Sequence, residues 1–116
     1  MGVYDFNFGG GDYFHLTIAG SDGETFVPSG GLIINGNFLL SSGIYSQNTT
    51  SGIYNGNLTI QNGLFRQLNG NMTIEGNLSL SATGAFEGST TTAFIDLNGN
   101  FSNGSTTFFT STNGTF

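Results

Sequence analysis

The sequence predicts an all-β fold, a parallel β-solenoid (β-helix) with coils of about 20 residues, and three observations carry that expectation. One apolar-turn-apolar phrase is written four times: "LIINGNFLL" from residue 32, "GIYNGNLTI" from 52, "MTIEGNLSL" from 72 and "IDLNGNFSN" from 95. Its glycines are Gly36, Gly56, Gly76 and Gly99; the first two intervals are equal, and the third is slightly longer. A second phrase keeps nearly the same period: "SSGIY", "QNGLF", "ATGAF" and "STTFF" end at Tyr45, Phe65, Phe86 and Phe109. Apolar and polar residues also alternate on both sides of each turn, which is the period of a strand with one buried face.

Taken in chain order, residues 1–31 read as a divergent N-terminal coil or a docking extension, since "HLTIAGSDG" alternates without containing the phrase. Residues 32–116 read as a four-coil solenoid repeat region with units 32–51, 52–71, 72–94 and 95–116. Alternation turns Leu32, Ile34, Phe38 and Leu40 inward in the first unit, and Tyr54, Leu58 and Ile60 in the second. Met72, Ile74, Leu78 and Leu80 follow in the third, where Thr73 and Ser79 point out, then Ile95, Leu97 and Phe101 in the fourth. The extra length of the third unit is assigned to a bulging loop in "EGSTTTAF". In stacked coils the four glycines would turn the chain at one corner, where a positive φ suits only Gly. The adjoining Asn37, Asn57, Asn77 and Asn100 would form an amide ladder, each bonded to the next coil. Tyr45, Phe65, Phe86 and Phe109 would stack as an aromatic column in the core.

A second all-β arrangement also fits. Asn-Gly between apolar runs is a hairpin signal, and it would give an antiparallel β-meander or sandwich with Asn-Gly turns. A three-residue loop pairing Ile34 with Phe38 keeps the apolar set on one side of such a ribbon. The constant period favours coils, because stacked coils require one and hairpins do not.

Composition narrows the function. The chain of 116 residues is one domain's worth, and only 7% of it is charged, against about 25% in an ordinary globular domain. Arg66 is the single Arg or Lys, His15 the single His, and seven acids bring the net charge to -6. Such a chain cannot neutralise a row of phosphates, so neither nucleic acid nor an anionic membrane is an expected partner. No apolar run reaches the roughly 18 residues of a membrane span, so no membrane insertion is expected. Cys is absent, which excludes disulfides and thiolate metal sites. "MGVYDFNFGGGDYF" has neither the basic region nor the apolar stretch of a signal peptide, although a leader removed before Met1 would leave the same start.

Catalysis on a solenoid needs carboxylates converging on adjacent coils, and only Glu75 and Asp96, about one coil apart near the same corner, come near that pattern. His15 has no nucleophile and acid partner at a recognisable spacing. The expectation is therefore no enzyme and no cofactor. Asp12, Asp22 and Glu24 lie in glycine-rich turns and are candidates for calcium, a hard cation that takes flexible oxygen ligands. Asn-x-Ser/Thr occurs seven times, and Asn48, Asn103 and Asn113 are candidate glycosylation sites outside the ladder.

The run "GNLTI…NGNMTIEGNLSLSATGAF…LNGNFSNG", residues 56–104, resembles the Gly/Asn/Thr-rich solenoid repeats of bacterial surface proteins, namely filamentous-haemagglutinin-like adhesins and autotransporter passengers. That resemblance implies a secreted, right-handed β-helix at the cell surface with no cofactor. Neither Lys nor an evident helical cap blunts the strand edges, and open edges pair with other strands. The expected function is a structural subunit whose partner is itself, a homopolymer forming an extracellular filament, sheath or fibre with surface glycans. The alternative is a cell-surface adhesin or carbohydrate-binding segment.

Overall fold

The computed structural model describes residues 4–8, 11–21, 24–47, 51–89, 91–104 and 109–110, and its regular elements are all β-strands. β1 (Tyr4–Phe8) comes first, followed by rungs of three strands. The first rung is β2 (Gly11–Tyr13), β3 (Leu16–Ala19) and β4 (Glu24–Pro28), and the second is β5 (Leu32–Ile34), β6 (Phe38–Ser42) and β7 (Ile44–Ser46). Next come β8 (Gly52–Tyr54), β9 (Leu58–Ile60) and β10 (Leu64–Arg66), then β11 (Met72–Ile74), β12 (Leu78–Leu80) and β13 (Ala85–Glu87). The last rung is β14 (Ile95–Leu97), β15 (Phe101–Asn103) and β16 (Phe109–Thr110).

These strands form three sheets. Sheet I is six strands deep in the order β1-β4-β7-β10-β13-β16, while sheet II (β2, β5, β8, β11, β14) and sheet III (β3, β6, β9, β12, β15) are each five deep. Every pairing within them is parallel, so the molecule is a parallel β-solenoid. The antiparallel alternative fails for a local reason. Ile34 and Phe38, which a hairpin would pair, end β5 and begin β6 in different sheets, so "NGN" turns a corner of the coil instead of reversing the chain.

The alternation sets the core. The three-residue strands β5, β8, β9, β11 and β12 of sheets II and III bury their first and third residues, whereas the short strands β10 and β13 of sheet I bury only the middle one. Five columns therefore fill the interior. Sheet III contributes Leu16-Phe38-Leu58-Leu78-Phe101 and Ile18-Leu40-Ile60-Leu80-Asn103. Sheet II contributes Gly11-Leu32-Gly52-Met72-Ile95 and Tyr13-Ile34-Tyr54-Ile74-Leu97. Between Leu32 and Ile74 the apolar members are no more than 1% exposed, each worth about 1.5–3 kcal/mol of transfer free energy. The column ends differ, since Leu97 is half-buried and Phe101, turned inward by its register, is 42% exposed because no described strand lies over β15.

Two expectations about the turns need correction. The glycines at the "NGN" corner do not adopt a positive φ; among the described residues the glycines that do are Gly11 (φ 122°), which begins β2, and Gly43 (φ 88°) and Gly63 (φ 108°), at the corner that leads into sheet I. What demands glycine at Gly56, Gly76 and Gly99 is the spacing of the coils. A Cβ on Gly56 would collide with the carbonyl oxygen of Gly36, one on Gly76 with that of Gly56, and one on Gly99 with that of Gly76. The extra length of the third unit is also divided between two places. Part lies between β12 and β13, where 81–84 replaces 61–63 and Ala82 takes the left-handed turn (φ 51°), and the rest lies between β13 and β14, where 88–94 replaces 67–71.

Candidate functional site

Three stacked ladders and the strand edges at the two ends are where this molecule concentrates its specific interactions. The first ladder runs along the corner between sheets II and III. The backbone N–H of Asn57 donates to Asn37 Oδ1, that of Asn77 to Asn57 Oδ1 and that of Asn100 to Asn77 Oδ1, each at 2.9 Å. Each asparagine carbonyl in turn accepts the N–H that follows the corner one coil earlier, as Asn77 does from Leu58 at 2.9 Å. The side-chain oxygen thus replaces the carbonyl that the corner swings away, so the asparagine N–H keeps a partner there. His15 occupies this position in the first rung, and its Nδ1 accepts the N–H of Asn37 at 2.9 Å, which holds the ring in the tautomer with its proton on Nε2.

The second ladder is the aromatic column of sheet I. Register places Phe6, Phe26, Tyr45, Phe65, Phe86 and Phe109 in one line. Tyr45, Phe65 and Phe86 are fully buried, with centroids 4.8 Å apart for Tyr45 and Phe65 and 5.0 Å for the parallel rings of Phe65 and Phe86. Of Phe109 only the backbone is described, paired with Phe86. Phe38 meets Tyr45, Tyr54 and Phe65 edge-on at 5.0, 5.6 and 5.8 Å, tying this column to the other two sheets.

The third ladder is one that the sequence reading misses. Gln47 and Gln67 are buried at the corner between sheets I and II, where the chain must satisfy backbone groups out of reach of water. Gln67 Nε2 donates to the carbonyls of Gly70 and Phe94, both at 2.9 Å, and its Oε1 accepts the N–H of Ser89 at 3.1 Å. Gln47 Nε2 donates to the Asn71 carbonyl at 3.2 Å, and its Oε1 accepts the Tyr54 hydroxyl at 3.2 Å. Gly52 leaves room for that pair, since a Cβ there would come within 2.8 Å of both side chains. Burial raises the pKa of Tyr45, partly offset by the neighbouring Tyr54 hydroxyl. Burial, then the nearby Tyr45, raises that of Tyr54.

The remaining candidates are dispersed. Asp12 lies in β2 of sheet II and Glu24 begins β4 of sheet I, where its Oε1 accepts the N–H of Ser21 at 2.5 Å. Asp22 lies outside the described residues, and among those described no three His, Asp or Glu side chains come together as a metal site. Glu75 and Asp96 do not stack on each other, because Asp96 pairs in register with Thr73 while Glu75 accepts from Asn98 Nδ2 at 3.3 Å. Asn48 and Asn113 lie outside the described residues, and Asn103 ends the inward column that begins at Ile18. Arg66 and Glu87 are register neighbours whose ion pair, 3.8 Å long and about 40% exposed, adds little. An open groove of about 240 Å³ beside Gly43, Ile44, Gly63 and Leu64 has no titratable side chain in its lining.

At the ends lie the outermost described strands, β1, β2 and β3 on one side and β14, β15 and β16 on the other. Asn100 is the last asparagine of the corner ladder, and β14 and β15 have no described strand beyond them. Built this way, the chain is a repeat protein of the parallel β-solenoid class. It matches no family model, no curated protein and no solved structure.

Proposed function

We propose that this protein is a structural subunit that self-assembles into an extracellular filament, sheath or fibre, its copies held by strand pairing and side-chain stacking. The single observation that carries this reading is the last described rung, where the inward-facing Phe101 is 42% exposed and β14 and β15 are the outermost described strands of their sheets. Parallel strand edges with an apolar column behind them are templates for another chain. The ladders add specificity, because a column of identical side chains continues only with a partner of the same register. A net charge of -6 with a single Arg or Lys keeps single copies soluble by mutual repulsion.

Negative-stain electron microscopy with fibre diffraction tests the proposal. Uniform filaments with an axial repeat of ~4.8 Å are the expected result. Monomers that persist at millimolar concentration would overturn it.

A second reading draws on the likeness of residues 56–104 to bacterial surface repeats and on two exposed rings, Phe14 (68%) and Phe94 (43%). It makes the chain a segment of a surface adhesin that stacks these rings on sugars. Binding to a glycan array that disappears in Phe14→Ala and Phe94→Ala variants, with no filaments, would favour it.

A further inference from the structure

We infer that two copies join end to end in phase, with sheets II and III continuous through the joint and with β1 of the incoming copy taking the place of β16 in sheet I. This inference rests on the filament reading above and adds the geometry of the contact.

The climb of the coil requires the exchange. Each coil of three strands climbs one strand spacing, about 4.8 Å, so each strand stands a third of that above the strand before it. When β2 of the incoming copy pairs with β14 and β3 pairs with β15, its β1 therefore arrives level with β16. Both then claim the same edge of β13. Sheet I is six strands deep where the others are five, and this surplus strand has to leave. Stacking β1 on β16 instead would open a gap one strand high in both other sheets and leave their hydrogen-bonding groups unpaired.

The strand that yields is the weaker one. β16 is held to β13 by two register positions, Phe86 with Phe109 and Glu87 with Thr110, whereas β1 is held to β4 by five. The exchange conserves the aromatic column, because Phe6 enters the register position that Phe109 vacates. It also continues the corner ladder. His15 of the incoming copy stands where the next asparagine would, so its backbone N–H meets Asn100 Oδ1 in the geometry that Asn77 and Asn100 repeat within the chain. One feature opposes the joint: Asp96, central in β14, falls over Asp12 of the incoming β2 on the outer face of sheet II. No Lys, Arg or His shares their register column, whose other members are Ile33, Ile53 and Thr73. Like charges facing each other across a strand pair repel, so the joint strengthens with salt.

The test uses the absence of Cys in the full chain. Thr17 and Ser102 are central in β3 and β15 and adjacent across the proposed joint, but within one copy they lie at opposite edges of sheet III. That is four strand steps, roughly 19 Å, too far for a disulfide. Filaments of the Thr17→Cys, Ser102→Cys double variant should oxidise to a ladder of covalent oligomers that collapses to monomer on reduction. Filaments that form without cross-linking would overturn this joint and leave the filament reading intact; no filaments from the unmodified chain would overturn both. Asp5→Pro should abolish elongation, because Asp5 shares the register of Leu64, whose N–H donates to the preceding coil, and Pro removes that donor. Phe109→Pro should leave elongation intact, and equal loss in both variants would overturn the strand exchange. Asp96→Asn should lower the critical concentration about threefold at low salt and have no effect at about 1 M salt.

Discussion

The middle coils, from Leu32 to Leu80, and the last rung, from Ile95 onward, are written in the same phrase yet stand in different physical conditions. Leu58 and Leu78 are fully buried while Phe101, their successor in the same column, is 42% exposed. The coil period is constant in the middle, from Asn37 to Asn57 and on to Asn77, and lengthens between Asn77 and Asn100. The contrast teaches that burial in a solenoid belongs to the neighbours and not to the residue. A side chain is core only where a coil lies on both sides of it, so the same substitution should cost very different amounts in the two regions.

The largest expected effect tests that difference directly. Phe65→Ala, in the middle of the aromatic column, should destabilise by about 3–5 kcal/mol in urea denaturation, and Phe101→Ala by about 1 kcal/mol or less. Equal losses would break the comparison. Glycines give the next contrast. Gly56→Ala sets a Cβ against the Gly36 carbonyl oxygen and should cost about 2–3 kcal/mol, whereas Gly104→Ala meets, among the described residues, only the Leu80 oxygen at 3.6 Å and should be near neutral.

Alkali sharpens the comparison, because Tyr45 and Tyr54 both belong to the middle coils. Their folded pKa values are raised by burial, so an unfolded chain releases these protons first, above about pH 10. The stability they contribute is fully present below pH ~10 and declines above it by up to about 1.4 kcal/mol per pH unit for each phenol. Denaturation midpoints measured from about pH 8 to 11.5 should be level and then fall, and Tyr45→Phe should flatten the fall. The smallest effect concerns the ladder: Asn57→Ala orphans the Asn77 N–H and should cost about 1–2 kcal/mol, against less than ~0.5 kcal/mol for Asn100→Ala in the unassembled chain.

Much of this contrast was legible in the residues. Alternation around Gly36, Gly56 and Gly76 announces one buried face, and the even period announces stacking, because both follow from local pattern. The three-sided cross-section was less accessible. It depends on "NGN" bending the chain by one corner, and a dipeptide signal does not distinguish a corner from a reversal. The demand for glycine at Gly56 has a different cause from the expected one, since close approach of another coil leaves no local trace that separates it from a positive φ. Gln47 and Gln67 escape a sequence reading although they recur at the coil period, because each lies two positions beyond an inward ring, Tyr45 or Phe65, and a polar side chain there reads as the end of the strand until the corner is closed around it. The first rung is hidden by its offsets: Gly11 pairs with Leu32 and Leu16 with Phe38, and these two intervals differ from each other and exceed the period of the middle coils.

The strict stacking of β5–β12 also bears on how such a chain changes over generations. Phe38 lies under Leu58 and Leu58 under Leu78, so duplicating or deleting a block one coil long restores the strand register around it. Recombination between the repeated segments would then lengthen or shorten the stack in whole steps of about 4.8 Å without rebuilding either end. An insertion of any other size disturbs one corner, as the longer interval before Phe101 does. Length is thus a heritable quantity counted in coils, separable from the chemistry of the two end surfaces.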